Sequence, residues 1–440
     1  GVTGVTATNL TSINDALATS SVTGTSVATS AQVQALVNAY NAILTAADSG
    51  DNTNNTANPT QAQYALIGVT GIDTAAKTRL LGDVIDTKSQ VDVDATAEVQ
   101  ALADAVCAVM TAAAGAAVPS LEQIQALGIT GVTADNLPAI LQALAATAND
   151  GSAVDTLSEL QTVVSTAASA AVAALGVISD YAQTNTQPNP ATPSGSAPTV
   201  NDYIAAGVTG VTATNLASIN DALATSSVTG TSVATSAQVQ ALVNAYNAIL
   251  TAADSGDNTN NTANPTQAQY ALIGVTGIDT AAKTRLLGDV IDTKSQVDVD
   301  ATAEVQALAD AVCAVMTAAA GAAVPSLEQI QALGITGVTA DNLPAILQAL
   351  AATANDGSAV DTLSELQTVV STAASAAVAA LGVISDYAQT NTQPNPATPS
   401  GSAPTVNDYI AAGVTGVTAT NLTSINDALA TSSVTGTSVA

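Results

Sequence analysis

The chain has 440 residues, 47% of them hydrophobic and only 9% charged, and six basic residues against 35 acidic ones leave a net charge of −29. That balance excludes a duplex nucleic-acid partner, which needs a basic stripe to displace counterions, and it disfavours anionic membrane surfaces. Histidine is absent, which removes the commonest general base and metal ligand together, and eight tyrosines are the only aromatics.

A core of Ala, Val, Leu and Ile without Phe or Trp is thin, so the folding modules are expected to be small. No segment reaches the roughly 18 apolar residues of a membrane span, so no membrane insertion is expected of this segment. Residues 1–206 recur as 207–412 with one change, Thr11 to Ala217, and the last 28 residues begin a third copy in which Thr423 restores the threonine. Repetition of this kind multiplies length or valency and not an active site. A chain that starts and stops in mid-repeat reads as cut from a longer polymer.

Residues 1–58 read as a three-helix module whose first helix is cut off. The next two modules, 59–118 and 119–181, open on PTQAQYALIGVTGI and PSLEQIQALGITGV, and the module at 199–264 completes the pattern with PTVNDYIAAGVTGV from Pro198. In each, Thr60, Ser120 or Thr199 stands three residues ahead of Gln63, Gln123 or Asp202, a capping-box spacing. The preceding proline bars a helix from running through. Gly68, Gly128 and Gly207 then fall where a left-handed stop is wanted. A second helix follows a new cap at Asp73, Thr133 or Thr212 and carries Leu137, Ile140 or Leu141, and Leu144, or Leu216, Ile219 and Leu223. The third is longest. Val239, Leu242, Val243, Tyr246, Ile249 and Leu250 share one face at helical spacing, as do Val99, Leu102, Ala103, Val106, Val109 and Met110. In the last module the equivalent stripe is Leu160, Val163, Val164, Ala167, Ala170 and Ala171, with apolar character continuing to Ile178.

Residues 182–198 carry four prolines in 17 positions and read as an extended spacer separating one period from the next, roughly 50 Å if fully polyproline II. The series continues with modules 265–324 and 325–387, a second spacer at 388–404, and the start of another module at 405–440. The predicted fold class is therefore all-α: a tandem array of small three-helix bundles, three per period.

Candidate sites are few. Asp48, Asp51, Asn52, Asn54 and Asn55 lie in one polar run and offer calcium-type oxygen ligands, or they are a polar loop between helices; Asp86, Asp92 and Asp94 pose the same choice. No other cofactor is expected. Lys77, Arg79 and Lys88 are all the basic residues of a period, either solvated or facing carboxylates of a neighbouring module or chain. Cys107 and Cys313 occur once per period beside the main apolar stripe, either as inert thiols or as bridges between chains. Tyr40, Tyr64, Tyr181 and Tyr203 are expected to fill the core or its rim. The GVTG turns lack the lysine of a phosphate loop.

The segments Ala206–Thr209, Ile219–Ala224 and Gln238–Ala252, repeated more loosely at Gly68–Thr70, Gly128–Thr130 and Glu98–Ala112, resemble the three-helix albumin-binding (GA) modules and related small bundles of bacterial surface proteins. The chain departs from that family in its scarcity of Lys and Glu and its short first helix, so albumin binding is not carried over. As a whole it resembles the repeat regions of giant bacterial surface adhesins and extracellular fibres. That resemblance implies a spacer or filament role at the cell surface or outside it, with other copies of the repeat as partners. The scarcity of cysteine and lysine fits the same location. The alternative is a multivalent binding array whose modules recognise a host protein or glycan; the dearth of aromatics and arginine, the usual binding anchors, favours the shaft. With no histidine, metal cluster or activated nucleophile, no enzymatic activity is expected.

Overall fold

The computed structural model describes residues 1–19, 21–47, 58–113, 118–148, 151–183, 195–225, 227–253, 264–319, 324–353, 357–389, 401–431, 434 and 436. Among these the chain is all-α, with nineteen α-helices and no strand. The first nine are α1 (Leu10–Ala18), α2 (Ser30–Ala46), α3 (Gln61–Leu66), α4 (Ala75–Asp86), α5 (Thr96–Ala113), α6 (Leu121–Ala126), α7 (Leu137–Ala145), α8 (Leu157–Gln183) and α9 (Val200–Ala205). The chain divides into two compact units. The first comprises 1–184, 192–211 and 230–240, and the second 185–191, 212–229 and 241–440.

The short first helices form because both ends are locally satisfied. Thr60, Ser120 and Thr199 each accept from the backbone of Gln63, Gln123 or Asp202, whose side chain bonds back to the cap. One turn later Gly68, Gly128 and Gly207 take φ of +90°, +87° and +78°. Val69 and Val208 then donate to the carbonyls of Tyr64 and Tyr203, closing the stop. Thr133 and Asn136 exchange capping bonds one turn ahead of α7, whereas α4 is capped by Thr74 and not by Asp73. Asp73 pairs with Lys77 instead.

The core of the first unit is not divided at module boundaries. One continuous set of buried side chains runs from Ile13 to Ala167. Each long helix packs on the short helix that follows it in the chain and on the middle helices to either side: α2 meets α1, α3 and α4, and α5 meets α4, α6 and α7. Val99, Leu102, Ala103, Val106, Val109 and Met110 are all buried. On α8 the expected stripe is corrected, because Ala170 is exposed and Val163 only half-buried. The buried set there is Leu160, Val164, Ala167, Ala171, Ala174 and Ile178. Alternating steps of four and three make this a narrow seam, which leaves the opposite side of α8 bare.

Beyond the proline-rich segment the chain packs back on the first unit. Helix α8 continues to Gln183, and α9 packs back on α8 and α7. Gly195 lies beside the Tyr181 backbone, and a Cβ on Gly207 would collide with the Ala139 nitrogen. Burial of Tyr203 at this junction, repeated by Tyr409 against α17, favours docking over extension. Residues 184–194 of that segment lie outside the described residues.

In the second unit the same elements return 206 residues later. They include α10 (Leu216–Leu223), α13 (Ala281–Asp292), α14 (Thr302–Ala319), α16 (Leu343–Ala351), α17 (Leu363–Gln389) and α18 (Val406–Ala411), and α17 packs on both α16 and α18. The expectation of no membrane-length segment also needs correction. By length and composition alone, α8 and α17 contain stretches, Leu157–Ala182 and Leu363–Ala388, apolar enough to cross a membrane, each with a mean hydropathy of 1.8 over its best window. Serine and threonine interrupt the run without lowering its average.

Candidate interaction surface

Polar bonds laid over the continuous core join helices that are far apart in the sequence. Asp15 on α1 accepts from the first backbone N–H of α5 at 2.7 Å, and Asp83 on α4 does the same for α8 at 3.3 Å. A carboxylate at a helix N-terminus satisfies an orphan donor and meets the positive end of the helix dipole. The Tyr40 hydroxyl donates to Val93 O at 3.2 Å, and Gln90 Nε2 to Leu44 O at 3.0 Å. At the junction with the next period, Ser236 donates to the carbonyls of Asp135 and Ala206. The second unit repeats the pattern: Asp221 caps α14, Asp289 caps α17, and Tyr246 donates to Val299 O.

Two of the three basic residues of a period reach the following module. Arg79 Nη1 lies 3.3 Å from Asp155 Oδ1, and Lys88 Nζ donates to Ala126 O, at the C-terminal end of α6, at 2.8 Å. Lys77 stays within its own module, 2.7 Å from Asp73 and within reach of Gly71 O. Its ammonium holds the Asp73 carboxyl below the ordinary range, whereas burial pushes Asp155 up against the pull of Arg79.

Cys107 and Cys313 are unpaired. Each thiol donates to a turn carbonyl at 3.1 Å, Gly71 O or Gly277 O, and burial raises its pKa. Asp86 is buried, while Asp92 turns back to accept from the Ser89 backbone and hydroxyl. Among the described residues no three acidic or sulfur side chains gather into a metal-binding group. The candidate ligands Asp48, Asp51, Asn52, Asn54 and Asn55 lie outside the described residues. Tyr40, Tyr64 and Tyr203 are fully buried and Tyr181 is half-buried.

One recurrent element was missed by the sequence reading. In every complete turn-and-long-helix pair, a glutamine on the first turns of the long helix clamps the threonine of the GVTG-type turn. Its Oε1 accepts from the threonine N–H and its Nε2 donates to the threonine carbonyl. For Gln100 and Thr70 these distances are 2.9 and 3.2 Å, and for Gln240 and Thr209 2.8 and 3.0 Å. Gln34, Gln161, Gln306 and Gln367 do the same. A constant interval of 30 or 31 residues between threonine and glutamine was the available signal.

The outward side of α8 is uncharged over a long stretch. Along α8, between Glu159 and Asp180, no side chain carries charge, and Ser165, Ser169, Ala173, Val172 and Val177 face outward, Val172 being 69% exposed. Beside it lies a groove of about 500 Å³ whose walls include Leu175, Gly176, Asn136, Asp135 and Thr231. A second hollow of about 580 Å³, between Thr6, Asn41 and Asp94, is lined by polar and apolar groups in equal measure. The chemistry of these surfaces is packing and hydrogen bonding. No protein-family model, no curated protein and no solved structure matches this chain.

Proposed function

We propose that the chain is a structural repeat protein, a tandem array of three-helix modules stacked one on the next, serving as the shaft of an extracellular bacterial fibre or the extender of a cell-surface adhesin. The observation that carries this reading is the recurrence of five long-range polar bonds at a spacing of 206 residues. Asp15, Asp83, Tyr40, Arg79 and Lys88 have their counterparts in Asp221, Asp289, Tyr246, Arg285 and Lys294, with the same partners. A binding array on flexible linkers needs only folded modules; a shaft needs each module fixed on its neighbour, and side chains are spent here on that fixation. The resemblance to bacterial surface repeats supplies the location, and no residue is assigned a catalytic role.

Small-angle scattering from chains of one, two and three periods tests the proposal. A shaft lengthens by a constant increment per period. A maximum dimension growing only as about the square root of the period number, as a flexible chain requires, would refute it.

A further inference from the structure

The bare side of α8 has three properties that together select its partner. First, it is a long outward helix face without charge on a chain whose net charge is −29, a property it shares with the exposed side of α2. Another copy is repelled across acidic surface, and the carboxylate it meets on this patch is Asp135 on the groove wall. Secondly, Ser165, Ser169 and Ala173 succeed one another at intervals of four, a ridge of small side chains that lets a second helix approach closely. Thirdly, Val172 stands 69% exposed on the edge of the groove of about 500 Å³. A knob and a hollow side by side on one patch are what a two-fold contact between identical surfaces uses, each knob entering the other copy's hollow.

We propose, resting on the shaft reading above, that this face is the lateral contact between chains: α8 docks on α8 of a second copy, and α17, with Val378 67% exposed, repeats the contact in the next period. The area explains why repetition matters. The uncharged stretch is 20 residues long, about 30 Å of helix and roughly 10 Å across, so one face covers on the order of 300 Å² against the roughly 800 Å² per partner of a stable dimer. A single period is too small to hold a partner, and multiplied periods hold it by avidity. A membrane is a poorer occupant. No Lys or Arg lies between Lys88 and Lys283 to anchor the helix ends, and the inner seam of α8 is already buried in protein.

The test is sedimentation equilibrium of the 440-residue chain over a concentration series, at low and high sodium chloride, for the native sequence and the pair Val172→Glu with Val378→Glu. The native chain is expected to self-associate reversibly, more strongly in high salt as charge repulsion is screened. The glutamate pair should weaken association at least tenfold with helicity and melting temperature unchanged, since both sites are already in water. As a second measurement, Ala173→Cys with Ala379→Cys, in a chain with Cys107→Ser and Cys313→Ser, should oxidise to covalent dimers. A chain that stays monomeric, association that high salt weakens, or association indifferent to the glutamate pair overturns the proposal. So does flotation with phosphatidylcholine–phosphatidylglycerol vesicles that the glutamate pair abolishes, which would assign the face to lipid. None of these results alters the increment per period seen by scattering at high dilution, so lateral docking fails separately from the shaft.

Discussion

Tyr64 is fully buried and its hydroxyl has no hydrogen-bond partner; Tyr270 in the next period is the same. The reason lies in the sister module. Tyr409 occupies the equivalent place and donates to Asn426 Oδ1 at 2.7 Å, but the residue 17 positions after Tyr64 is Leu81, fully buried and unable to accept. A buried hydroxyl without a partner costs about 1–3 kcal/mol by mutational measures. Replacing Tyr64 and Tyr270 by Phe removes that cost while keeping the ring in place, so the double variant should be more stable by about 1 kcal/mol per site. Tyr409→Phe has the opposite sign, because Asn426 loses a donor in a buried setting, at a cost of about 1–2 kcal/mol. Urea unfolding followed by circular dichroism reads both, using the midpoint at constant slope. If the Tyr64 and Tyr270 pair destabilises by more than about 0.5 kcal/mol, the hydroxyl is satisfied by a buried water and the reasoning is refuted.

Removing the clamp with Gln100→Ala and Gln306→Ala should lower stability by about 1–2 kcal/mol per site, since the Thr70 and Thr276 turns lose two backbone bonds each, read by the same denaturation. Gly207→Ala and Gly131→Ala both put a side chain at positive φ, but only the first drives a Cβ into the Ala139 backbone. Gly131→Ala should cost about 1 kcal/mol of strain, whereas Gly207→Ala should also expose the α7–α9 junction to hydrogen exchange. Equal exchange in the two variants would contradict the docking of α9. Asp92 and Asp298 are held below the ordinary carboxylate range by hydrogen bonds from Ser89 and Ser295. Their contribution is therefore present above the unfolded value of about 3.9 and lost as pH falls through the depressed folded one. Asp92→Asn with Asp298→Asn should lower the melting temperature at pH 7, and the gap from the native chain should close on acidification; a gap that widens in acid would reverse the assignment.

What the sequence by itself determined is what depends on neighbours a few residues apart. The capping boxes at Thr60, Ser120 and Thr199, the glycine stops at 68, 128 and 207, and the apolar faces of α5 and of Val239–Leu250 were legible because cap, stop and helical face are each written within about one to four turns. The period was legible because it is literal. The tertiary structure decided which of these faces meets which. Asp15 reaches Thr96 and Arg79 reaches Asp155 across 81 and 76 residues, so nothing near either residue announces the bond. Ala170 fitted the helical pattern and is nonetheless exposed, because a seam against few neighbours covers only a narrow strip of a 27-residue helix. Prolines at 188, 190, 193 and 198 suggested distance. Their composition constrains the local backbone, but the placement of α9 follows from the apolar area that Tyr203 buries at the junction with α8, a free energy that exists only once both surfaces are formed.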